Sequence, residues 1–96
     1  MSAHVEFGGV MGGGAPVYSG LRRAETLTTT TSAQSAAAHA GEYATISAIG
    51  AAVFFTVGQD PTALADGTNM RYLADGAIRD IGPLKEGDKI AAIDAA

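Results

Sequence analysis

The chain has no cysteine and no tryptophan. Without cysteine, neither a disulfide framework nor a thiolate zinc site can hold the fold. Basic residues are scarce, with six Lys and Arg against ten Asp and Glu, for a net charge of −4. Residues 1–41 balance Arg22 and Arg23 against Glu6 and Glu25, so the whole excess of acid lies in residues 42–96. No basic stripe follows a phosphate backbone anywhere, which argues against direct nucleic-acid binding. Long apolar runs are missing as well. The longest, Ile49 to Val57, is broken by Gly50 and Thr56 and falls far short of the roughly 20 residues a membrane helix needs. The start, Met1 to Phe7, has no basic stretch leading into an apolar one, so no secretory signal is expected. The composition predicts a soluble protein.

What is present is small and rich in alanine. A chain of 96 residues makes one domain and buries roughly 60–65% of the surface its unfolded form exposes. The larger core candidates, Ile46, Ile49, Val53, Phe54, Phe55, Val57, Leu64, Tyr72, Leu73, Ile78, Ile81, Leu84, Ile90 and Ile93, come late in the chain. A thin core of this kind favours oligomerisation as a source of further buried surface.

The chain reads as two parts, an extended N-terminal arm over residues 1–20 and a β-sandwich domain over residues 21–96. The arm centres on Gly8-Gly9-Val10-Met11-Gly12-Gly13-Gly14, a run that loses much conformational entropy on ordering. It also carries Phe7, Val10, Met11, Val17 and Tyr18, which a solvated linker does not need. Two readings stand: a disordered leader, or an arm that orders on a neighbouring subunit with those five residues as its partner-binding contacts.

Further on, Thr26 to Thr31 is a β-branched run that favours a strand. The Ala-rich residues 33–40 follow as a loop, being too few to hold a helix unaided. From Glu42 to Ile49 the period is two, with Ala44, Ile46 and Ala48 on one face. Ala51 to Val57 is apolar on both faces, as a central strand would be, and Ala48-Ile49-Gly50-Ala51 between the two runs reads as a tight hairpin. A long loop spans Gly58 to Asn69, with turns at Asp60-Pro61 and Asp66-Gly67. Met70 to Ala74 and Ala77 to Ile81 read as a second hairpin across Asp75-Gly76. Lys85-Glu86-Gly87-Asp88 makes a turn, and Lys89 to Asp94 is the last strand. Short strands at this spacing predict an all-β fold, a small antiparallel β-sandwich or jelly-roll-like domain.

No catalytic, cofactor-binding or metal-binding constellation emerges. His4 and His39 lie in irregular segments and show no ligand spacing. The glycine cluster lacks the Lys-Ser or Lys-Thr of a phosphate loop. Asp60, Asp66, Asp75, Glu86 and Asp88 occupy turn positions, where a carboxylate serves the local backbone, and none of them shows calcium-loop spacing. A hydrolase built on Asp60 or Asp88 has no paired base. Tyr43, Phe54, Phe55 and Tyr72 suit either core packing or a sugar-binding face.

The runs Thr30-Thr31-Ser32-Ala33-Gln34-Ser35-Ala36, Tyr43-Ala44-Thr45-Ile46, Val57-Gly58-Gln59-Asp60-Pro61-Thr62-Ala63 and Glu86-Gly87-Asp88-Lys89-Ile90-Ala91-Ala92-Ile93 together resemble small structural proteins of tailed bacteriophages. The resemblance covers residues 25–94 and leaves residues 1–20 aside. It implies a virion protein assembled in the host cytoplasm, non-enzymatic and without cofactors. The role it implies is capsid decoration, a cement protein bridging major capsid subunits through the N-terminal arm and one sheet face. The implied partners are the major capsid protein or another virion protein, with a homo-oligomer, a trimer first, as the working form. A head–tail or tail-associated position is the alternative, as is a carbohydrate-binding host-attachment module resting on Tyr43, Tyr72 and the acidic loops at Asp60 and Asp66.

Overall fold

The computed structural model describes residues 2–10 and 18–95. They form two four-stranded antiparallel sheets packed face to face, a small β-sandwich without helix. In chain order the strands are β1 (Ser2–Val10), β2 (Tyr18–Thr28), β3 (Ala33–Gln34), β4 (Tyr43–Ile49), β5 (Val53–Gly58), β6 (Arg71–Leu73), β7 (Ile78–Ile81) and β8 (Lys89–Asp94). One sheet runs β2-β1-β4-β7 and the other β3-β8-β5-β6. Chain order and the contact between β2 and β3 stack the edges in pairs, β2 over β3 on one side and β7 over β6 on the other.

The expected arm is corrected at its first element. Residues 2–10 are a central strand, paired with β2 from Ser2↔Thr28 to Val10↔Tyr18 and with β4 from Ser2↔Ile49 to Gly8↔Tyr43. The cause lies in Ala3-His4-Val5-Glu6-Phe7, a strict alternation that sends Ala3, Val5 and Phe7 into the core and His4 and Glu6 outward. Period two with one buried face fixes both strand and register. Beyond Gly8 the sheet narrows to the β1–β2 ribbon, with register shifts at Phe7/Gly8 and Gly9/Val10. The longest dimension, 39 Å, matches β2, which at about 3.3 Å per residue extends about 36 Å.

The core is thin, as its alanines require. Phe7, Phe55, Ile46, Ile90, Val5 and Val53 are its largest fully buried apolar side chains, and Ala3, Ala38, Ala44, Ala48 and Ala92 fill the gaps between them. The second sheet is covered on both faces, in keeping with the doubly apolar run at Val53-Phe54-Phe55. The loop after β5 folds back over its outer surface, where Pro61, Ala63 and Ala91 are buried and Gly67 sits against the Phe54 ring. Gln34 ties that loop down by donating its side-chain amide to Asp60 Oδ1 at 2.9 Å and to the Pro61 carbonyl at 2.7 Å.

Both expected hairpins are corrected to sheet-to-sheet crossings. β4 and β5 belong to different sheets, as do β6 and β7. A two-residue type I′ hairpin needs positive φ at both central residues. At Asp75-Gly76 only Gly76 has it, with φ 80°. That turn, closed by the Ala77 N–H on the Ala74 carbonyl at 2.9 Å, carries the chain across the end of the sandwich. The Gly50 crossing lies beside it, and the Gly50 N–H donates to Asp75 Oδ1 at 3.0 Å.

The threonine run forms a strand only as far as Thr28, and Thr29 is fully buried where the chain leaves the first sheet. Its hydroxyl donates to Asp94 Oδ1 at 2.5 Å, and the Asp94 N–H returns a bond to the Thr29 carbonyl at 2.7 Å. This pair pins the end of β8 to the crossing. Thr29→Val keeps the shape and removes the donor, leaving a part-buried carboxylate oxygen without its partner. The expected loss is about 1–3 kcal/mol in urea unfolding; a change below about 0.5 kcal/mol, the ordinary surface value, would show that the bond contributes nothing.

Candidate functional site

Of the five residues assigned to partner binding, the side chain of Phe7 is the one the structure describes. Phe7 is fully buried between the sheets, which overturns its assignment as an exposed contact. Val10 and Tyr18 are backbone partners at the outer end of the β1–β2 ribbon, while Met11 and Val17 lie outside the described residues. The aromatics named for a sugar-binding face are divided as well. Tyr43 alternates with the inward Ala44 on the outer face of the first sheet, and Tyr72 projects from the outer face of the second. Those are opposite sides of the molecule. Asp60 and Asp66 serve their own loop: Asp60 accepts from Gln34, and Asp66 accepts the Thr68 N–H at 2.9 Å. Hydrogen bonds from Thr68, the backbone one first, hold the Asp66 carboxyl below its ordinary value. That turn therefore keeps its bond above the usual carboxylate range and loses it only as pH falls through the lowered value.

His4 Nδ1 lies 3.0 Å from Thr26 Oγ1, and His39 Nδ1 lies 3.5 Å from Glu86. Among the described residues no group of three or more His, Cys, Asp or Glu side chains is placed to hold a metal ion, and no helix is long and apolar enough to cross a membrane.

What the fold does bring together is the side where the edge strands β6 and β7 lie over one another. Register assigns their faces. Arg71 stands opposite Phe55 and in phase with the buried Leu73, so it belongs to the inner face of the second sheet. Arg79 stands opposite Ile46 and in phase with Ile81, on the inner face of the first. Each arginine therefore occupies a core-phase position on a strand with no further neighbour, and both are exposed. They line an open cleft of about 470 Å³, whose apolar wall is Val57, Ile81, Pro83 and Leu84. Asp80 and Asp88 also border it. Asp80 accepts from the Thr45 hydroxyl at 2.7 Å on the outer face. Asp88 accepts the Gln59 amide at 2.8 Å through Oδ1 and the Lys85 N–H at 2.9 Å through Oδ2. Among the described residues neither arginine has a hydrogen-bond or ion-pair partner.

Each of these two edge strands also carries an exposed apolar side chain on its outer face. Ile78 is 67% exposed on β7 and Tyr72 54% exposed on β6, where its ring meets Phe54 edge-on with centroids 5.6 Å apart. The sequence carried a signal for the site. Arg71-Tyr72-Leu73 and Arg79-Asp80-Ile81 each put a cation two residues before a core aliphatic, which is how inward-pointing charge on an edge strand looks. Read as one hairpin, the two segments could not be seen to face each other from separate sheets. No family model, curated protein or solved structure matches this chain.

Proposed function

We propose that this chain is a non-enzymatic structural subunit of a phage virion, a capsid decoration protein that docks on major capsid subunits through the β6/β7 side of its sandwich. The observation that carries this reading is the cleft at that edge, walled by Val57, Ile81, Pro83 and Leu84 and edged by two arginines without a partner among the described residues, with Ile78 and Tyr72 exposed on the outer faces of the same two strands. Exposed large apolar groups rimmed by polar ones are the ordinary mark of a protein interface. The resemblance of residues 25–94 to small tailed-phage structural proteins supplies the kind of partner. The thin alanine-rich core supports a working form of several copies, a trimer first. Residues 2–10 are committed to the sheet, so docking in this proposal does not use them as an arm.

The test is co-sedimentation of the purified protein with particles from the strain that carries the gene. Wild type is expected to bind at a fixed ratio to capsid protein. Ile78→Asp with Tyr72→Ser, both at exposed positions, is expected to weaken binding at least about tenfold, as loss of interface anchors does, with little change in thermal stability. Absence from both heads and tails would sink the proposal, and binding to tails alone would replace the capsid with the tail as its seat.

A further inference from the structure

We propose that the mouth between β6 and β7 is a carboxylate-recognition site, in which Arg71 and Arg79 clasp an acidic side chain carried by an extended segment of a partner protein. The proposal rests on the docking reading above and names the chemistry of the partner. Two cations at core-phase positions of facing edge strands repel one another across the gap between the sheets, which is about 10 Å wide. Both are exposed, as heads kept in water would be. Neither nearby carboxylate forms an ion pair with them among the described residues: Asp80 accepts from the Thr45 hydroxyl on the outer face, and Asp88 accepts from Gln59 and the Lys85 N–H. A carboxylate entering the mouth would find two planar donor forks that no acceptor among the described residues holds, the arrangement that gives paired N–H···O bonds.

The rest of the cleft favours a peptide over a free ion. Its wall of Val57, Ile81 and Leu84 offers apolar contact to side chains flanking the acid. The strands β6 and β7 end their sheets, so each has backbone groups open to an added extended segment. Edge protection by inward charge explains one arginine on either strand by itself. It does not require that both stand at the same mouth beside an apolar wall.

The measurement is fluorescence anisotropy with a labelled octapeptide of alternating glutamate and threonine, compared with its glutamine–threonine counterpart. Wild type is expected to bind the glutamate peptide roughly tenfold or more tightly than the glutamine one, and less tightly as salt rises. Arg71→Gln with Arg79→Gln is expected to abolish that preference while leaving the melting temperature within about 2 °C, both sites being exposed. Arg71→Lys with Arg79→Lys keeps the charge without the fork and is expected to fall between. Equal affinity for the two peptides, or an unchanged preference in the glutamine variant, overturns the site. Competition by inorganic phosphate at the concentration of the peptide itself overturns the extended segment as its ligand. Particle binding retained by the same glutamine variant would remove the carboxylate clasp and leave the docking proposal standing, so the two fail separately.

Discussion

Phe7→Ala is expected to remove about 3–5 kcal/mol of stability, the largest loss from any single truncation near the N-terminus. Phe7 is fully buried, and it stands opposite Ala44 in a strand held on both sides. Alanine there leaves a cavity that its small cross-strand neighbour Ala44 cannot fill. A domain of this size has about 5–15 kcal/mol in all, so the variant is expected to melt about 12–40 °C lower, at about 4–8 °C per kcal/mol. Tyr72→Ala, which truncates an aromatic that is 54% exposed, is the control and is expected to cost about 1 kcal/mol or less. Removal of residues 2–10 goes further, because it separates β2 from β4 and leaves no continuous first sheet. That truncated chain is expected to show no cooperative transition by circular dichroism. A truncated chain that folds, or a Phe7→Ala loss below about 1 kcal/mol, would restore the picture of a dispensable arm.

The same residues show where sequence reasoning succeeds and where it stops. Tyr43–Ile49 was legible as a strand because it alternates over seven residues with one buried face, and Lys89–Asp94 because an apolar run, Ile90 to Ile93, follows the turn at Lys85-Glu86-Gly87-Asp88. The sandwich followed from the spacing of such segments. The first strand was obscured by the glycine run that follows it, although the alternation from Ala3 to Phe7 is as regular as that of β4. Partnership between strands was the harder quantity. Gly50 and Gly76 both have positive φ, at 85° and 80°, as a hairpin or a crossing would require. Only long-range pairing, such as Val53↔Asp94 and Ser47↔Ile78, decides between them. The β6/β7 mouth depends on that decision, and so no local pattern could assemble it.

Gly82→Ala tests the rim of that mouth. Gly82 follows β7 with φ 146°, a conformation that L side chains rarely adopt. Its backbone lies on Tyr43, so a Cβ would stand 2.6 Å from Tyr43 Cδ2, 2.8 Å from Cγ and 3.1 Å from Cα. Rotation of the ring relieves the first two contacts at most. The third is backbone, held in the sheet by the pairing of Tyr43 with Gly8. Conformational strain of about 1–3 kcal/mol and overpacking of about 1–3 kcal/mol together give an expected loss on the order of 2–6 kcal/mol. Gly76→Ala separates the two contributions. Its φ is 80° and nothing lies within 4 Å of the added carbon, so it carries the backbone penalty alone, about 1–2 kcal/mol. If the two variants unfold at the same urea concentration, the contact with Tyr43 has no energetic weight and the rim yields freely. If Gly82→Ala is the worse of the two, the segment between Arg79 and Leu84 is fixed against β4. A rigid rim of that kind holds the Arg79 strand at a set distance from Arg71, and recognition of a carboxylate between them depends on that distance.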